Sequence, residues 1–180
     1  MNDLLPTFVY HPDPIATGSV VQSQTECRTC RRSRGLIYTG PVFAVEELVD
    51  ELCPWCIADG SAAAAFDAQF TDVGVGVPEG VSDAVLEVIA QRTPGFSGWQ
   101  QERWLYHCGD GASFLGRAGF AELNGRESAL ATIRAEYRGF GWADAELEEL
   151  VRSLHVDGEA TAYLFECRHC HVDLAYADFS

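Results

Sequence analysis

The sequence predicts an α+β protein in which an N-terminal lobe of the zinc-ribbon or knuckle type packs on helices and a small antiparallel sheet. Two observations predict the second part of this fold class: helical spacing of apolar residues recurs after the first third of the chain, and alternating segments close it. The third observation predicts the metal-binding lobe. It is a set of three Cys-x-x-Cys pairs: Cys27/Cys30, Cys53/Cys56 and Cys167/Cys170.

Composition excludes several classes of function. The 180 residues carry a net charge of −15, and all twelve basic residues are arginines. This excess of negative charge disfavours non-specific binding to nucleic acid or to an anionic membrane surface. No stretch reaches the roughly 20 apolar residues that span a bilayer, and no export signal opens the chain. We therefore expect a cytoplasmic location, no membrane insertion, and seven cysteines that are reduced or bound to metal.

The N-terminal elements follow from proline, glycine and apolar spacing. Phe8 and Tyr10 alternate with other residues and predict a short half-buried strand within an extended, proline-rich arm. Residues 35–40 predict a strand that Gly40-Pro41 ends. Apolar residues at 45, 48, 49 and 52 predict a helix over 45–52, and an alanine-rich segment predicts another over 62–70.

A glycine-rich loop at 73–80 suggests a hinge or linker. It divides the chain into a knuckle lobe with its N-terminal arm, 1–72, and a helical and antiparallel-strand lobe, 73–180, although the two could form one compact domain. A second glycine-rich loop follows His107, and no internal repeat is visible beyond the Cys-x-x-Cys pair. The remaining segments with regular periodicity are helices 82–91, 127–138 and 144–155 and strands 103–107, 160–166 and 172–179.

Cys27, Cys30, Cys53 and Cys56 form the first candidate site, because four thiolates close a tetrahedron around one zinc ion. Such a site carries a formal charge of −2, so neighbouring cations stabilise it. Four arginines lie in or just after the first pair, and they either balance this charge or bind an acidic partner: Arg28, Arg31, Arg32 and Arg34. The rival interpretation is a redox dithiol at Cys53/Cys56.

Cys108, Cys167 and Cys170 form a second candidate site whose fourth ligand is open. We take His171 as the candidate; the others are His107, Asp110, His169 and water. Neighbours on a strand point to opposite faces, so His107 and Cys108 are awkward partners unless the strand has already turned. With water as fourth ligand the zinc would be catalytic, and Asp110, Glu102 or His107 would be its base. A third possibility is that these thiols bind no metal.

Several longer motifs resemble one family, the bacterial CbrC family. They include the arm Leu5-Pro-Thr-Phe-Val-Tyr-His-Pro-Asp-Pro14, the segment Leu52-Cys-Pro-Trp-Cys-Ile-Ala-Asp-Gly-Ser61, the tetrad His107-Cys-Gly-Asp110 and the end Tyr163-Leu-Phe-Glu-Cys-Arg-His-Cys170. The resemblance covers nearly the whole chain. It implies a link to colicin tolerance or another stress response, and no particular enzymatic activity is attached to that family.

The leading expectation for function is a zinc-binding module that acts through contacts with an unidentified protein partner. One zinc ion is expected at the first site and a second is possible. The alternative is a zinc-dependent hydrolase with an open site at Cys108, Cys167 and Cys170.

Overall fold

The computed structural model describes residues 4–180, and its mixture of short helices and antiparallel strands confirms the predicted α+β class. None of the helices within residues 4–180 is long and apolar enough to cross a membrane. In chain order the elements are β1 Val20–Gln22, β2 Leu36–Tyr38, α1 Pro54–Ala58, α2 Ser61–Phe66, α3 Asp83–Arg92, β3 Tyr106–His107, β4 Asp110–Gly111, β5 Ser113–Ala118, α4 Phe120–Leu123, α5 Glu127–Gly139, α6 Asp144–Ser153, β6 Ala160–Glu166 and β7 Asp173–Phe179.

A three-stranded antiparallel sheet in the order β5-β6-β7 carries the second cysteine cluster at one end. β6 and β7 pair over their whole length, from Ala160 opposite Phe179 to Glu166 opposite Asp173, and the hairpin between them contains Cys167 and Cys170. This arrangement confirms the two strands predicted on either side of the last Cys-x-x-Cys pair. β5 was not predicted, because glycines interrupt its sequence.

Both faces of this sheet are buried, and the alternation of side chains decides which core each residue joins. One face packs on α4, α5 and α6 through small and aliphatic residues: Ala162, Leu164, Ala175 and Ala177. The other face packs on an aromatic cluster built around Phe96, Trp104 and Phe114, and its contacts are larger: Tyr163, Phe165, Leu174 and Tyr176. The cluster is tightly packed, since the Phe96 and Phe114 rings stack with centroids 3.9 Å apart.

The predicted helix over 45–52 is wrong. Leu48 and Leu52 are buried, but Val45 is fully exposed and Val49 is 68% exposed, so the segment has no continuous apolar face. Its peptide groups instead support the knuckle region: the Glu51 carbonyl accepts from Arg28 N and the Leu52 carbonyl accepts from Tyr38 N, each at 2.8 Å. Tertiary hydrogen bonds therefore outweigh the local helical spacing here.

The strand predicted in the N-terminal arm does not form, but the predicted burial of its alternate residues is correct. Phe8 and Tyr10 are buried and Val9 is half exposed, as alternation requires. No strand forms over this segment, because its prolines lack the N–H donors of a ladder. It contacts β5 through isolated hydrogen bonds, from Phe114 N to the Tyr10 carbonyl and from Ser113 Oγ to the Val9 carbonyl, and through the His11 ring, which packs edge-on against Phe114.

The helices α3, α5 and α6 confirm three predicted segments, and Ser82 Oγ caps the start of α3 by accepting from Val85 N. The predicted helix over 62–70 is shorter, since α2 ends at Phe66. The predicted strand over 103–107 keeps only Tyr106–His107. The division into 1–72 and 73–180 stays a prediction.

Candidate metal centres

The first cluster brings together Cys27, Cys30, Cys53 and Cys56, whose Sγ atoms all lie within 4.8 Å of one another. Cys27, Cys53 and Cys56 are each no more than 3% exposed and belong to the same core cluster as Phe8, Tyr38 and Phe70. Cys30 is partly exposed, so an ion held there would lie largely, though not wholly, within this core cluster.

The spacing of the sulfur atoms fits a tetrahedral zinc ion. With a Zn–S distance of about 2.3 Å, two ligands on a tetrahedron lie about 3.8 Å apart. Cys30 Sγ and Cys53 Sγ are 3.9 Å apart in the first cluster. Cys108 Sγ and Cys170 Sγ are 3.8 Å apart in the second. All seven cysteines are free of disulfides, so these distances are not those of bonded pairs.

The turn after Cys27 has a characteristic pair of backbone hydrogen bonds. Arg31 N donates to the Cys27 carbonyl at 2.8 Å, and Cys27 N donates to the Arg32 carbonyl at 3.0 Å. Arg31 adopts φ 55°, which reverses the chain directly after Cys30. Both cysteines of the pair therefore belong to one tight turn.

The turn after Cys167 repeats this geometry with an unrelated sequence. His171 N donates to the Cys167 carbonyl at 3.0 Å, Cys167 N donates to the Val172 carbonyl at 2.9 Å, and His171 adopts φ 58°. Two knuckles of the same backbone form therefore present one cysteine pair each, one in the first cluster and one in the second.

The pair Cys53/Cys56 is presented differently, because Cys53 is the N-cap of α1 and Pro54 its first residue. A redox dithiol needs a leading cysteine with a lowered pKa. Here hydrogen bonding with Cys27 and burial raise the pKa of Cys53, while the Cys53 hydrogen bond lowers the pKa of Cys27 to about 4. Cys53 N also donates to Cys27 Sγ at 3.3 Å, and Cys53 and Cys56 share one cluster with Cys27 and Cys30. This grouping weakens the redox interpretation.

Arg28 is neutralised within the chain. Its guanidinium contacts the carboxylates of Glu46 and Glu51, which belong to the acidic segment that sequence analysis assigned to a helix. Arg34 lies over the Trp55 ring, 5.2 Å from the ring centroid. The acidic groups that Arg28 binds are therefore those of the 45–52 loop of the same chain.

The second cluster brings together His107, Cys108, Cys167 and Cys170. His107 Nδ1 lies 3.2 Å from Cys108 Sγ and 3.4 Å from Cys170 Sγ. Cys167 is buried, and hydrogen bonds from the backbone of Cys170 and His169 outweigh its burial and lower its pKa to about 6. Cys108 and Cys170 are exposed, in contrast to the enclosed first cluster.

A tight turn explains how His107 and Cys108 reach one cluster. β3 and β4 form a hairpin in which His107 pairs with Asp110, so Cys108 and Gly109 are its two loop residues. Both adopt positive φ, 53° and 74°, as type I′ hairpin turns require. The chain reverses directly after His107, so the neighbouring side chains of His107 and Cys108 can reach the same site.

The structure brings His107 to the cluster, and His171 lies outside it. His171 is the reversing residue of the second knuckle, and its Nδ1 atom lies 3.0 Å from Glu166 Oε1. This hydrogen bond raises the pKa of His171. A signal for His107 was present in the sequence, since the following Cys-Gly pair ends the strand there.

Asp110 joins three parts of the chain beside the second cluster. The Tyr10 hydroxyl donates to Oδ1 at 2.7 Å, while Arg168 Nη1 and His169 Nε2 lie 2.6 and 2.9 Å from Oδ2. Burial opposes ionisation, but Tyr10, His169 and Arg168 together lower the pKa of Asp110. Its oxygens are occupied, so it is a poor candidate for a catalytic base. Glu102, another base candidate, is not among the residues of either cluster.

His11 is a fully buried residue that neither cluster uses. Its Nδ1 atom lies 2.7 Å from the Pro94 carbonyl oxygen, so this nitrogen carries the proton, and Nε2 accepts from the Thr17 hydroxyl at 2.7 Å. Burial lowers the pKa of His11 to about 4, although the Pro94 carbonyl opposes this. The neutral ring ties the N-terminal arm to the segment after α3.

We expect His11 to make the protein less stable in mild acid. Its pKa is about 4 when folded and about 6.5 in an unfolded chain, so the unfolded state binds more protons below pH 6.5. Its contribution is complete above about pH 6.5 and is lost as pH falls toward 4. Urea unfolding should show a loss of about 1 kcal/mol between about pH 7.5 and about pH 5.5.

His11→Gln is the control, because glutamine keeps a donor and an acceptor but does not titrate. Equal acid sensitivity in this variant and the native chain would contradict the assignment.

Comparisons with known proteins give one consistent match. A model of a family described as an uncharacterised protein family, UPF0167, matches residues 5–179. UPF0167 proteins of Mycobacterium bovis and Mycobacterium tuberculosis are 53% identical over 176 residues, covering 98% of this chain and 94% of each relative. A UPF0167 protein of Pseudomonas aeruginosa is 40% identical over 180 residues, covering 98% of this chain and 99% of the relative. No solved structure gives a significant match.

Proposed function

The chain belongs to the uncharacterised protein family UPF0167, and from its two ligand clusters we propose that it is a zinc protein whose metal ions organise a protein-interaction module. The observation that carries this proposal is the pair of four-residue groups whose ligand atoms lie within 4.8 Å of one another. Cysteine sulfur and histidine nitrogen at tetrahedral spacing are the donors that zinc prefers.

The first zinc ion has a structural role in this proposal. Its four thiolates come from the first knuckle and from α1, two segments that are far apart in sequence, and the site lies under Leu52, Ile57 and Phe70. A closed site of four cysteines leaves no position for water or substrate. A lobe of this size cannot bury a large apolar core, and the binding energy of the ion would supply part of the missing stability.

The second zinc ion links the β6–β7 hairpin to the β3–β4 hairpin. With His107 as the fourth ligand, its coordination is complete without water, which supports a structural role over a hydrolytic one. The hydrolase alternative needs a free position on the metal and a free base. Asp110 is engaged by Tyr10, Arg168 and His169, so it does not supply that base.

We further propose that the module works in the cytoplasm by binding another protein. Exposed large apolar side chains that a partner could cover include Val49, Trp99 and Phe140. Membership of UPF0167 does not by itself imply a role in colicin tolerance. That role rests on the resemblance to the CbrC family and stays a hypothesis.

The fourth ligand of the second site is tested by a matched pair of histidine variants. Protein purified without added metal should hold two zinc ions per chain by elemental analysis. His107→Ala should lower this to about one, because it removes one of the four donors of the second site. His171→Ala should leave two, because His171 contacts Glu166 instead.

The opposite result, with zinc lost in His171→Ala and retained in His107→Ala, would refute this coordination. A second zinc ion that exchanges readily and supports ester or phosphodiester hydrolysis, lost in Cys108→Ser, would instead favour the hydrolase.

A further inference from the structure

We propose that the second cluster is also a thiol-oxidation site, at which a two-electron oxidant such as hydrogen peroxide joins Cys108 and Cys170 in a disulfide and releases the metal. The inference rests on the proposed function, since it requires that this cluster holds zinc. It extends that function by making one of two similar metal sites responsive to oxidants.

The two clusters differ most in exposure. In the first cluster Cys27, Cys53 and Cys56 are each at most 3% exposed and Cys30 is partly exposed, so a soluble oxidant reaches at most one of the four thiols. In the second, Cys108 and Cys170 are both exposed. Oxidation of cysteine depends on thiolate character and on access. Zinc would hold both sets of sulfur atoms as thiolates, so access discriminates between the two sites.

Cys108 and Cys170 are the two exposed thiols of this cluster, and they lie close to each other. Their Sγ atoms are 3.8 Å apart, and a disulfide of about 2.05 Å requires them to approach by about 1.8 Å. Cys108 lies on a two-residue turn and Cys170 on a short knuckle, so neither belongs to a helix or a strand. Cys167 is buried and its N–H donates to the Val172 carbonyl, which holds it in place.

The reaction balances with peroxide as the only co-reactant. One thiolate attacks the peroxide O–O bond, forming a sulfenic acid and releasing hydroxide. The second thiolate attacks the sulfenic sulfur and displaces its oxygen as hydroxide. Two protons taken up from the buffer convert the two hydroxides to water. Two thiolates are oxidised by two electrons in all, and peroxide is reduced to water.

Disulfide formation would leave only His107 and Cys167 as ligands of the second site, and two ligands do not retain zinc against a chelator. The fold should survive, because Asp110 holds β4 to the knuckle through Arg168 and to the arm through Tyr10 without metal. Oxidation would therefore exchange the metal link between the turn at Cys108 and the second knuckle for a disulfide link, while the first site stays intact.

The test treats the purified holoprotein with hydrogen peroxide in the presence of a chromogenic zinc chelator. We expect release of one of the two zinc ions, a Cys108–Cys170 disulfide by peptide mass mapping, an almost unchanged circular dichroism spectrum, and recovery after thiol reduction with added zinc. Cys108→His is the matched variant, since it keeps four nitrogen and sulfur donors but cannot form this disulfide. It should release its zinc much more slowly.

The two proposals fail in different ways. If elemental analysis before oxidation finds no zinc ion that depends on the second cluster, both the second zinc site and its oxidation are refuted. Two zinc ions at the start, followed by release of neither, by release of both with unfolding, or by a disulfide elsewhere, would overturn the oxidation site alone. The mapped disulfide in the native chain decides the matter even if Cys108→His does not fold.

Discussion

Cys27→Ser is expected to abolish stable folding of the N-terminal lobe. Cys27 Sγ is fully buried, accepts from Cys53 N at 3.3 Å, and is one of the four atoms of the first cluster. Structural zinc contributes an apparent folding free energy of about 10–16 kcal/mol in small zinc domains, which is comparable to the whole stability of a typical domain, about 5–15 kcal/mol. Serine is a far weaker zinc ligand, so most of this contribution should be lost.

The measurement combines zinc content with thermal unfolding followed by circular dichroism. Cys108→Ser is the matched control, because it removes one ligand from the exposed cluster. It should lower zinc from two ions to one and shift the melting temperature by only a few degrees. A Cys27→Ser protein that melts like the native chain and still holds two zinc ions would refute the structural role of the first site.

Asp110→Ala should destabilise the protein by about 2–3 kcal/mol, the cost of removing a charged acceptor from hydrogen bonds. The Asp110 side chain is only 11% exposed, and its removal leaves Arg168, Tyr10 and His169 without their shared acceptor. It also removes the metal-independent contact between β4 and the second knuckle. Urea unfolding with zinc content monitored in parallel measures this effect.

Asp144→Ala is the control for the loss of a carboxylate as such. Asp144 also pairs with an arginine, Arg138, but its side chain is 80% exposed, so its loss should cost no more than about 0.5 kcal/mol. Equal effects from the two substitutions would show that the Asp110 contacts add nothing beyond ordinary surface charge.

The sequence by itself was sufficient for the features that depend on local chemistry. Spacing alone grouped Cys27, Cys30, Cys53 and Cys56 as candidate ligands of one site. Apolar periodicity placed α3, α5 and α6, and alternation placed β6 and β7 around the last knuckle. These elements are predictable because their pattern lies within one short segment and agrees with the packing of the finished fold.

Tertiary contacts decided the rest. Residues 45–52 have helical spacing but give their carbonyl groups to Arg28 and Tyr38, and β5 has a loop-like composition but pairs with β6.

The choice of His107 at the second cluster depends on a two-residue turn at Cys108-Gly109, because His107 and Cys108 can reach the same site only if the chain reverses between them. It also depends on the approach of a knuckle that follows about 60 residues later. The sequence thus determined which residue types were available as metal ligands. Only the folded chain determined which of them meet, and which pair of thiols is left open to solvent, because burial and long-range proximity are properties of the packed structure.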